Sequence, residues 1–198
     1  MVKKGKFIVL EGLDGSGEST QASLLKEFLE ANNEEVVLTK EPYVDSESGK
    51  KIRMVLEKKT QMGLKELQDL FTENRKEHLD TLIIPSLEKG ITVISDRYYF
   101  STFAFGGASG LDVEYLIAQN DKFLQPDLTF ILDVNPETSL KRIEGRGKPK
   151  EFFEEIEKLT KTREFYQTFP ERFANVYLID GEKTIEKVFE QIKGRFTL

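Results

Sequence analysis

The chain has 198 residues, of which 38% are hydrophobic and 32% charged, with a formal net charge of −6. This composition indicates a globular domain with a sizeable core rather than a disordered chain. The negative charge argues against a general nucleic-acid binder, which needs a basic stripe, and the lack of cysteine excludes disulfides and thiolate chemistry. No stretch approaches the roughly 20 apolar residues of a membrane span, and the basic start leads into only a short apolar run, so we expect a cytoplasmic protein without a signal peptide.

Short apolar runs alternate with longer amphipathic stretches along the chain. In chain order, the pattern predicts a strand at Phe7 to Leu10, a helix at Ser19 to Asn32, a strand at Glu35 to Thr39, one or two helices at Leu64 to Lys89, a strand at Ile91 to Ser95, a helix at Leu111 to Lys122, a strand at Leu128 to Val134, a helix opened by Pro136, a helix at Phe152 to Phe169, a strand at Val176 to Ile179 and a helix at Thr184 to Phe196. This alternation predicts an α/β fold of three α/β/α layers around a mostly five-stranded parallel sheet. No repeat or linker divides the chain, so we expect one domain over residues 1–198, with ligands bound beyond the C-terminal ends of the strands.

The first strand runs directly into a glycine-rich loop and then a helix. Its residues are Gly12, Leu13, Asp14, Gly15, Ser16, Gly17, Glu18, Ser19 and Thr20. They fit the phosphate-loop pattern G-x-x-x-x-G-K-[ST] everywhere except at the lysine. Glycines let backbone N–H groups surround phosphate oxygens, the following helix adds its positive end, and Ser19 would offer its hydroxyl to Mg²⁺. A glycine-rich turn without a ligand is the alternative, but the strand before and the helix after favour an ATP-binding site.

Glu18 stands where this pattern requires lysine. That lysine normally reaches the β- and γ-phosphates, whereas two like charges about 4 Å apart repel by roughly 4 kcal/mol at an effective dielectric of 20. Three explanations stay open: an introduced substitution, a natural variant with cations supplied elsewhere, or a phosphate-binding relative that catalyses poorly.

Three further groups of residues have more than one interpretation. Asp96 and Arg97 follow the third predicted strand, where an active site would lie, although they could equally form a surface ion pair. Phe71 and Arg75 are four residues apart and so share a helix face, although Phe71 alone is more typical of a core residue. The basic segment from Lys141 to Lys148 contains Arg142, Arg146 and Gly147, and could be no more than a solvated loop.

Taken together, these segments resemble the thymidylate kinase family over essentially the whole chain. The glycine loop with Asp14 inside it, followed by Thr20 and Gln21, is similar to the start of that family. Lys40-Glu41-Pro42 resembles its Arg-Glu-Pro segment, with lysine where arginine is common. The stretch from Leu70 to Gly107 is the most specific, since it matches the base-binding helix, the Asp-Arg-Tyr motif and the Ser-x-x-Ala-aromatic that follows. Residues 130–147 resemble the fourth strand and lid. The resemblance implies a P-loop kinase fold with a short lid at about 142–151, and a homodimer.

The resemblance also implies an activity: ATP and dTMP give ADP and dTDP in dTTP biosynthesis, with Mg²⁺ as cofactor. The implied acceptor-side residues are Asp14, Pro42, Phe71, Arg75, Arg97, Ser101, Thr102 and Phe105. Phe71 would stack on thymine, Arg75 and Thr102 would contact the base, and Pro42 would wall the pocket. Arg97 would hold the acceptor phosphate. Asp14 would contact the sugar 3′-hydroxyl or the water shell of the metal.

On the donor side, the loop pattern gives Ser19 and the strand-end position gives Asp96 as the metal-binding residues. The resemblance makes Arg142 and Arg146 the lid cations. Some family members carry an arginine inside the loop, where this chain has Gly15, so the transition-state cation should come from the lid. Backbone N–H groups do most of the phosphate binding, so we expect the loop to form despite Glu18. Its side chain would turn outward to solvent or pair with a lid arginine.

Two other functions remain open. One is a kinase of deoxynucleosides or of another nucleoside monophosphate, although such deoxynucleoside kinases usually lack this combination of Asp-Arg-Tyr and lid. The other is a nucleotide-binding protein whose catalysis is impaired by Glu18.

Overall fold

A computed structural model describes residues 5–144 and 156–196. Within these residues five strands form one parallel sheet: β1 (Phe7–Gly12), β2 (Val36–Lys40), β3 (Thr92–Asp96), β4 (Leu128–Asp133) and β5 (Val176–Asp180). The order across the sheet is β2-β3-β1-β4-β5, and every pairing is parallel. The predicted fold class is therefore confirmed, and each strand lies within two residues of its predicted bounds.

The helices connect these strands. They are α1 (Glu18–Ala31), α2 (Glu47–Leu56), α3 (Leu64–His78), α4 (Ile84–Glu88), α5 (Tyr99–Ala108), α6 (Val113–Asn120), α7 (Pro136–Glu144), α8 (Ile156–Arg172) and α9 (Ile185–Lys193), with a π-helical segment, Leu79–Ile83, joining α3 to α4. None of the helices in residues 5–144 and 156–196 has both the length and the apolar character that crossing a membrane requires.

The alternation of side chains along β1 explains the three layers. Successive residues of a strand point to opposite faces of the sheet. Phe7 and Val9 pack into one core with the aromatic residues of α5 and α8. Ile8 and Leu10 pack into a second core against α1 and α9. The sheet is therefore covered on both faces, as its short, almost continuously apolar strands predict.

Two helices were not predicted from the sequence. The α2 helix follows Ser46, whose hydroxyl accepts a 3.0 Å hydrogen bond from the backbone N–H of Gly49, and it buries Ile52, Val55 and Leu56 on one face. The α5 helix is mostly apolar, and it is buried on almost every side. A helix that is apolar on every side shows no 3.6-residue period.

The parallel sheet places several chain ends at one edge. The first three strands end at Gly12, Lys40 and Asp96. Lys40 lies opposite Asp96 in the register of β2 and β3, and Leu10 lies opposite Asp96 in that of β1 and β3. Helix α1 begins at Glu18, a few residues beyond the end of β1. This edge is therefore where the fold brings the predicted site residues together.

Candidate active site

The glycine loop has the backbone that its sequence predicts. Gly15 and Gly17 have φ angles of +83° and +111°, in the left-handed region that favours glycine. The backbone N–H of Ser16 donates to the Leu13 carbonyl at 2.9 Å, and that of Gln21 donates to the Gly17 carbonyl at 3.0 Å. A Cβ at Gly15 would lie 2.9 Å from the carbonyl oxygen of Ser139, so this backbone leaves little room for a larger residue there.

A cavity of about 240 Å³ lies beside the loop. Its lining residues are Gly15, Ser16, Gly17, Thr20, Gln21, Arg142, Gly181, Lys183, Ile185 and Val188. The Arg142 guanidinium donates to the carbonyl oxygens of Ser16, at 3.2 Å, and Gly181, at 3.1 Å. Arg142, a predicted lid residue, thus connects the glycine loop to the turn after β5. The other predicted lid cation, Arg146, and most of the predicted lid lie outside the described residues.

Glu18 lies at the start of α1 and points into the protein. Its side chain is 6% exposed, and its Oε1 accepts a 2.6 Å hydrogen bond from Nη2 of Arg97. The expectation that this side chain turns to solvent or pairs with a lid arginine is therefore wrong. Burial raises the pKa of Glu18; the positive charge of Arg97 opposes this shift, while Asp96 and Asp14 add to it. The partner was not predictable from spacing, because the two residues are 79 positions apart.

Arg97 is the centre of this charge cluster. Its Nη2 also donates to Asp14 at 2.8 Å, and its Nη1 donates to the hydroxyl of Ser101 at 3.1 Å. The guanidinium lies 5.3 Å from the ring centroid of Phe105. Burial alone would lower the pKa of Arg97, but the carboxylates of Glu18 and Asp14 outweigh it, and the pKa is raised. Its φ of +76° lies in the left-handed region, which is uncommon for a residue other than glycine.

Asp96 makes separate contacts from those of Arg97, although the two are adjacent. Its Oδ2 accepts a 2.8 Å hydrogen bond from Nζ of Lys40 and another from the hydroxyl of Ser19. Its Oδ1 is buried and has no partner in the described part of the chain. Asp96 is also 6% exposed at the side chain, so the alternative of a surface Asp96–Arg97 pair is wrong.

The Ser19 and Asp96 oxygens fit a magnesium site. Mg²⁺ takes oxygen ligands and usually binds through one or two protein groups together with substrate phosphates and waters. Ser19 supplies a hydroxyl, and Asp96 supplies a carboxylate with one buried oxygen that still lacks a partner. Within the described ranges, His, Cys, Asp and Glu form no group of three that could hold a metal by itself. The donor set therefore suits a cation shared with a phosphate ligand.

Arg75, on α3, belongs to a second buried cluster of predicted acceptor residues. Its side chain is 1% exposed. Nη2 donates to Glu41 at 2.6 Å and to Thr102 at 3.1 Å, and Nη1 donates to Asn120 at 2.5 Å. Its Nε is buried and has no partner among the described residues. The structure thus brings together two predicted base-contacting residues, Arg75 and Thr102.

The remaining acceptor residues lie near this cluster. Phe71, one helical turn before Arg75, is partly buried and packs against the core on the α5 side of the sheet. Pro42 is also partly buried and follows Glu41 through a cis peptide bond. The sequence therefore predicted Phe71 and Arg75 on one helix, and the structure shows that they differ in depth.

Sequence reasoning missed the role of Glu11. This residue is fully buried, and its carboxylate accepts hydrogen bonds from the hydroxyls of Ser101, at 2.6 Å, and Tyr166, at 3.0 Å. It also accepts 2.9 Å and 3.2 Å bonds from the backbone N–H groups of Tyr98 and Ser101. Burial raises its pKa to about 7 against the lowering effect of these bonds and of Arg97. The sequence feature that could have indicated Glu11 is the presence of a carboxylate within β1, whose preceding residues are apolar.

Comparisons with known proteins identify the family of the chain. A family model described as Thymidylate kinase matches residues 10–192. A probable thymidylate kinase of Thermococcus kodakarensis is 43% identical over 194 residues, covering 94% of each chain. One of Pyrococcus horikoshii is 42% identical, over 96% of this chain and 94% of its own. A thymidylate kinase of Carboxydothermus hydrogenoformans is 38% identical over 96% of both chains.

Proposed function

The chain belongs to the thymidylate kinase family, and from this premise we propose that it transfers the γ-phosphoryl group of ATP to dTMP, forming ADP and dTDP for dTTP synthesis. An oxygen of the dTMP phosphate attacks the γ-phosphorus, and the bond from that phosphorus to the β–γ bridging oxygen breaks. The protein has little covalent chemistry to perform in such a transfer. Its tasks are to position the two phosphates and to neutralise their charge.

One observation carries this proposal: a candidate acceptor arginine lies beside the candidate donor loop. Nη2 of Arg97 is 2.8 Å from Asp14 and 2.6 Å from Glu18, and both carboxylates belong to the glycine loop or the first turn after it. Arginine binds phosphate through several charge-assisted hydrogen bonds. A dTMP phosphate bound to Arg97 would therefore lie close to the terminal phosphate of an ATP bound by the loop.

On the donor side, the cavity between the loop and α9 would take ATP. The backbone N–H groups of the loop and the start of α1 would bind its phosphates. Ser19 and Asp96 would hold Mg²⁺, which when bound neutralises phosphate charge. Arg142 lines this cavity and would act with Arg146 as a lid at about residues 142–151.

On the acceptor side, Phe71 would stack on thymine and Pro42 would wall the pocket. Arg75 has both terminal nitrogens engaged by Glu41, Thr102 and Asn120. Its contact with a base edge would therefore use Nε or exchange one of these bonds. Asp14 would contact the sugar or the metal waters. Ser101, held by Glu11 and bonded to Arg97, would keep the arginine in place.

A substrate panel tests the proposed function. ADP release would be measured in a coupled assay with ATP and, in turn, dTMP, dUMP, thymidine and the other nucleoside monophosphates. The proposal predicts turnover with dTMP well above that with the other monophosphates and none with thymidine. Faster phosphorylation of thymidine, or of a different monophosphate, would identify the chain as a kinase of that other substrate class.

The oligomeric state and location follow from the family resemblance rather than from contacts of this chain. We propose a homodimer acting in the cytoplasm, where both nucleotides are present. Light scattering during size-exclusion chromatography tests the first part. A mass near twice the 22.8 kDa of the chain is expected, and a monomer at micromolar concentration would contradict it.

A further inference from the structure

The glycine loop lacks the lysine that reaches the terminal phosphates in the general pattern. Three cations near the loop are bonded to groups other than the Asp96 oxygen that the Ser19 hydroxyl contacts. Arg97 is bonded to Glu18 and Asp14. Arg142 donates to two carbonyl oxygens that connect the loop to the turn after β5. Lys183 pairs with Asp180 at 3.2 Å. The donor phosphates therefore need a further cation from the described chain.

Lys40 is placed to do this. It is the last residue of β2, directly opposite Asp96 in the sheet. Its Nζ lies 2.8 Å from the Oδ2 of Asp96, and the hydroxyl of Ser19 donates to this same oxygen. The ammonium group is therefore separated from the loop hydroxyl by one carboxylate oxygen, although the two residues come from different strand–loop units.

The exposure of Lys40 also suits a ligand contact. Its side chain is 55% exposed while that of Asp96 is 6% exposed. An ammonium group has three N–H donors, and the contact with Asp96 uses one of them. The remaining donors and the flexible four-carbon stem suit a second contact, with a phosphate oxygen. Glu18 does not compete for Lys40, because it is bonded to Arg97.

We propose that Lys40 supplies the cation that the glycine loop lacks, by contacting the terminal phosphate of ATP beside Ser19. This inference rests on the proposed function and deepens its donor site. The bonds formed and broken are those of the transfer described above. Lys40 adds positive charge next to the γ-phosphoryl group, where negative charge must be balanced during transfer.

The alternative role for Lys40 is a structural ion pair with Asp96, and nucleotide binding separates the two. Calorimetry with Mg²⁺ would compare ADP with the imido analogue of ATP, which has a γ-phosphate but is not transferred. Lys40→Ala should weaken the imido analogue by about tenfold, the scale of one charged contact, and change ADP affinity by less than about twofold. Lys40→Arg should stay near the parent.

A matched control is Lys161→Ala. Lys161 is 53% exposed and pairs with Glu157 at 3.0 Å, so it resembles Lys40 in exposure and pairing but lies on α8. It should leave both affinities unchanged. Equal weakening of ADP and of the imido analogue by Lys40→Ala, or no weakening of either, would overturn the inference.

A double-mutant cycle gives a second readout. If Lys40 replaces the loop lysine, restoring that lysine should make Lys40 less necessary. Lys40→Ala should lower turnover by about tenfold in the parent and by less than about threefold in the Glu18→Lys background. The same loss in both backgrounds would overturn the inference. If the parent shows no transfer to dTMP, the proposed function fails, while the imido-analogue measurement still decides the role of Lys40.

Discussion

The guanidinium of Arg97 donates a 2.6 Å hydrogen bond to the carboxylate of Glu18. The residue that replaces the loop lysine is therefore bound to the arginine proposed to hold the acceptor phosphate. Asp14 takes a second bond from the same Nη2 nitrogen, so two carboxylates surround one guanidinium. An incoming dTMP phosphate would have to share or replace these partners. This relationship connects the unusual donor loop with the acceptor site.

Glu18→Lys should raise turnover by at least about tenfold, which corresponds to roughly 1.4 kcal/mol of barrier. The change removes a negative charge near the phosphates, frees Arg97 and supplies the cation of the general pattern. Because these effects are largest in the transition state, turnover should change more than ATP affinity. Steady-state kinetics beside calorimetry would measure both quantities.

The charge-matched control is Glu27→Lys, on the exposed side of the same helix, which should leave turnover unchanged. If Glu18→Lys is neutral or harmful, the carboxylate at this position does not limit turnover, and the prediction that Glu18 opposes phosphate charge is wrong.

Arg97→Ala should weaken dTMP binding by at least about tenfold while leaving thymidine binding largely intact. The reason is that thymidine has no phosphate to lose a charge-assisted contact. Calorimetry with each ligand would measure the difference, and Arg172→Ala serves as an exposed arginine control, paired with Glu114 on the surface. Unchanged affinity for both ligands would remove Arg97 from the acceptor site.

Phe71→Ala should raise the KM for dTMP and leave that for ATP nearly unchanged. Loss of a stacking face for the base is expected to cost about 1–3 kcal/mol of affinity. Leu70→Ala is the matched control, since Leu70 precedes Phe71 on α3 and is also partly buried against the same core. An equal rise in both KM values, or unfolding of the Phe71 variant, would indicate that this ring is a core residue.

Glu11→Gln should change how stability depends on pH. The folded-state pKa of Glu11 is raised from 4.5 to about 7, so its contribution to stability is fully present below pH 4.5 and is lost as the pH rises through about 7. The loss amounts to about 3 kcal/mol, because each pKa unit corresponds to roughly 1.4 kcal/mol. In urea unfolding across this pH range, the free energy of unfolding of the variant should rise relative to that of the parent as the pH increases. If the two free energies change in parallel with pH, the burial of a titrating carboxyl is contradicted.

The sequence was sufficient for the sheet, since five apolar runs mark five strands to within two residues. The glycine loop was also predictable, because its backbone demands are local. The helix from Tyr99 to Ala108 was missed, since its burial on nearly every side removes the periodic signal.

The pairings within the site were not predictable from the sequence for a different reason. Glu18 and Arg97 meet across 79 positions, and Lys40 and Asp96 meet across 56. No local pattern encodes such contacts. These contacts form because the strand order places β2, β3 and β1 side by side, and that order is a property of the whole fold.

The central claim is that this chain transfers phosphate from ATP to dTMP despite the carboxylate in its loop. Phosphorus NMR with enzyme and both nucleotides at comparable concentrations and with Mg²⁺ tests it directly, because even slow transfer accumulates under these conditions. The account predicts loss of the ATP γ-phosphate signal in step with the appearance of the two phosphate signals of dTDP. Intact ATP and dTMP over many hours, when calorimetry shows both nucleotides bound, would contradict it and identify a binding protein instead.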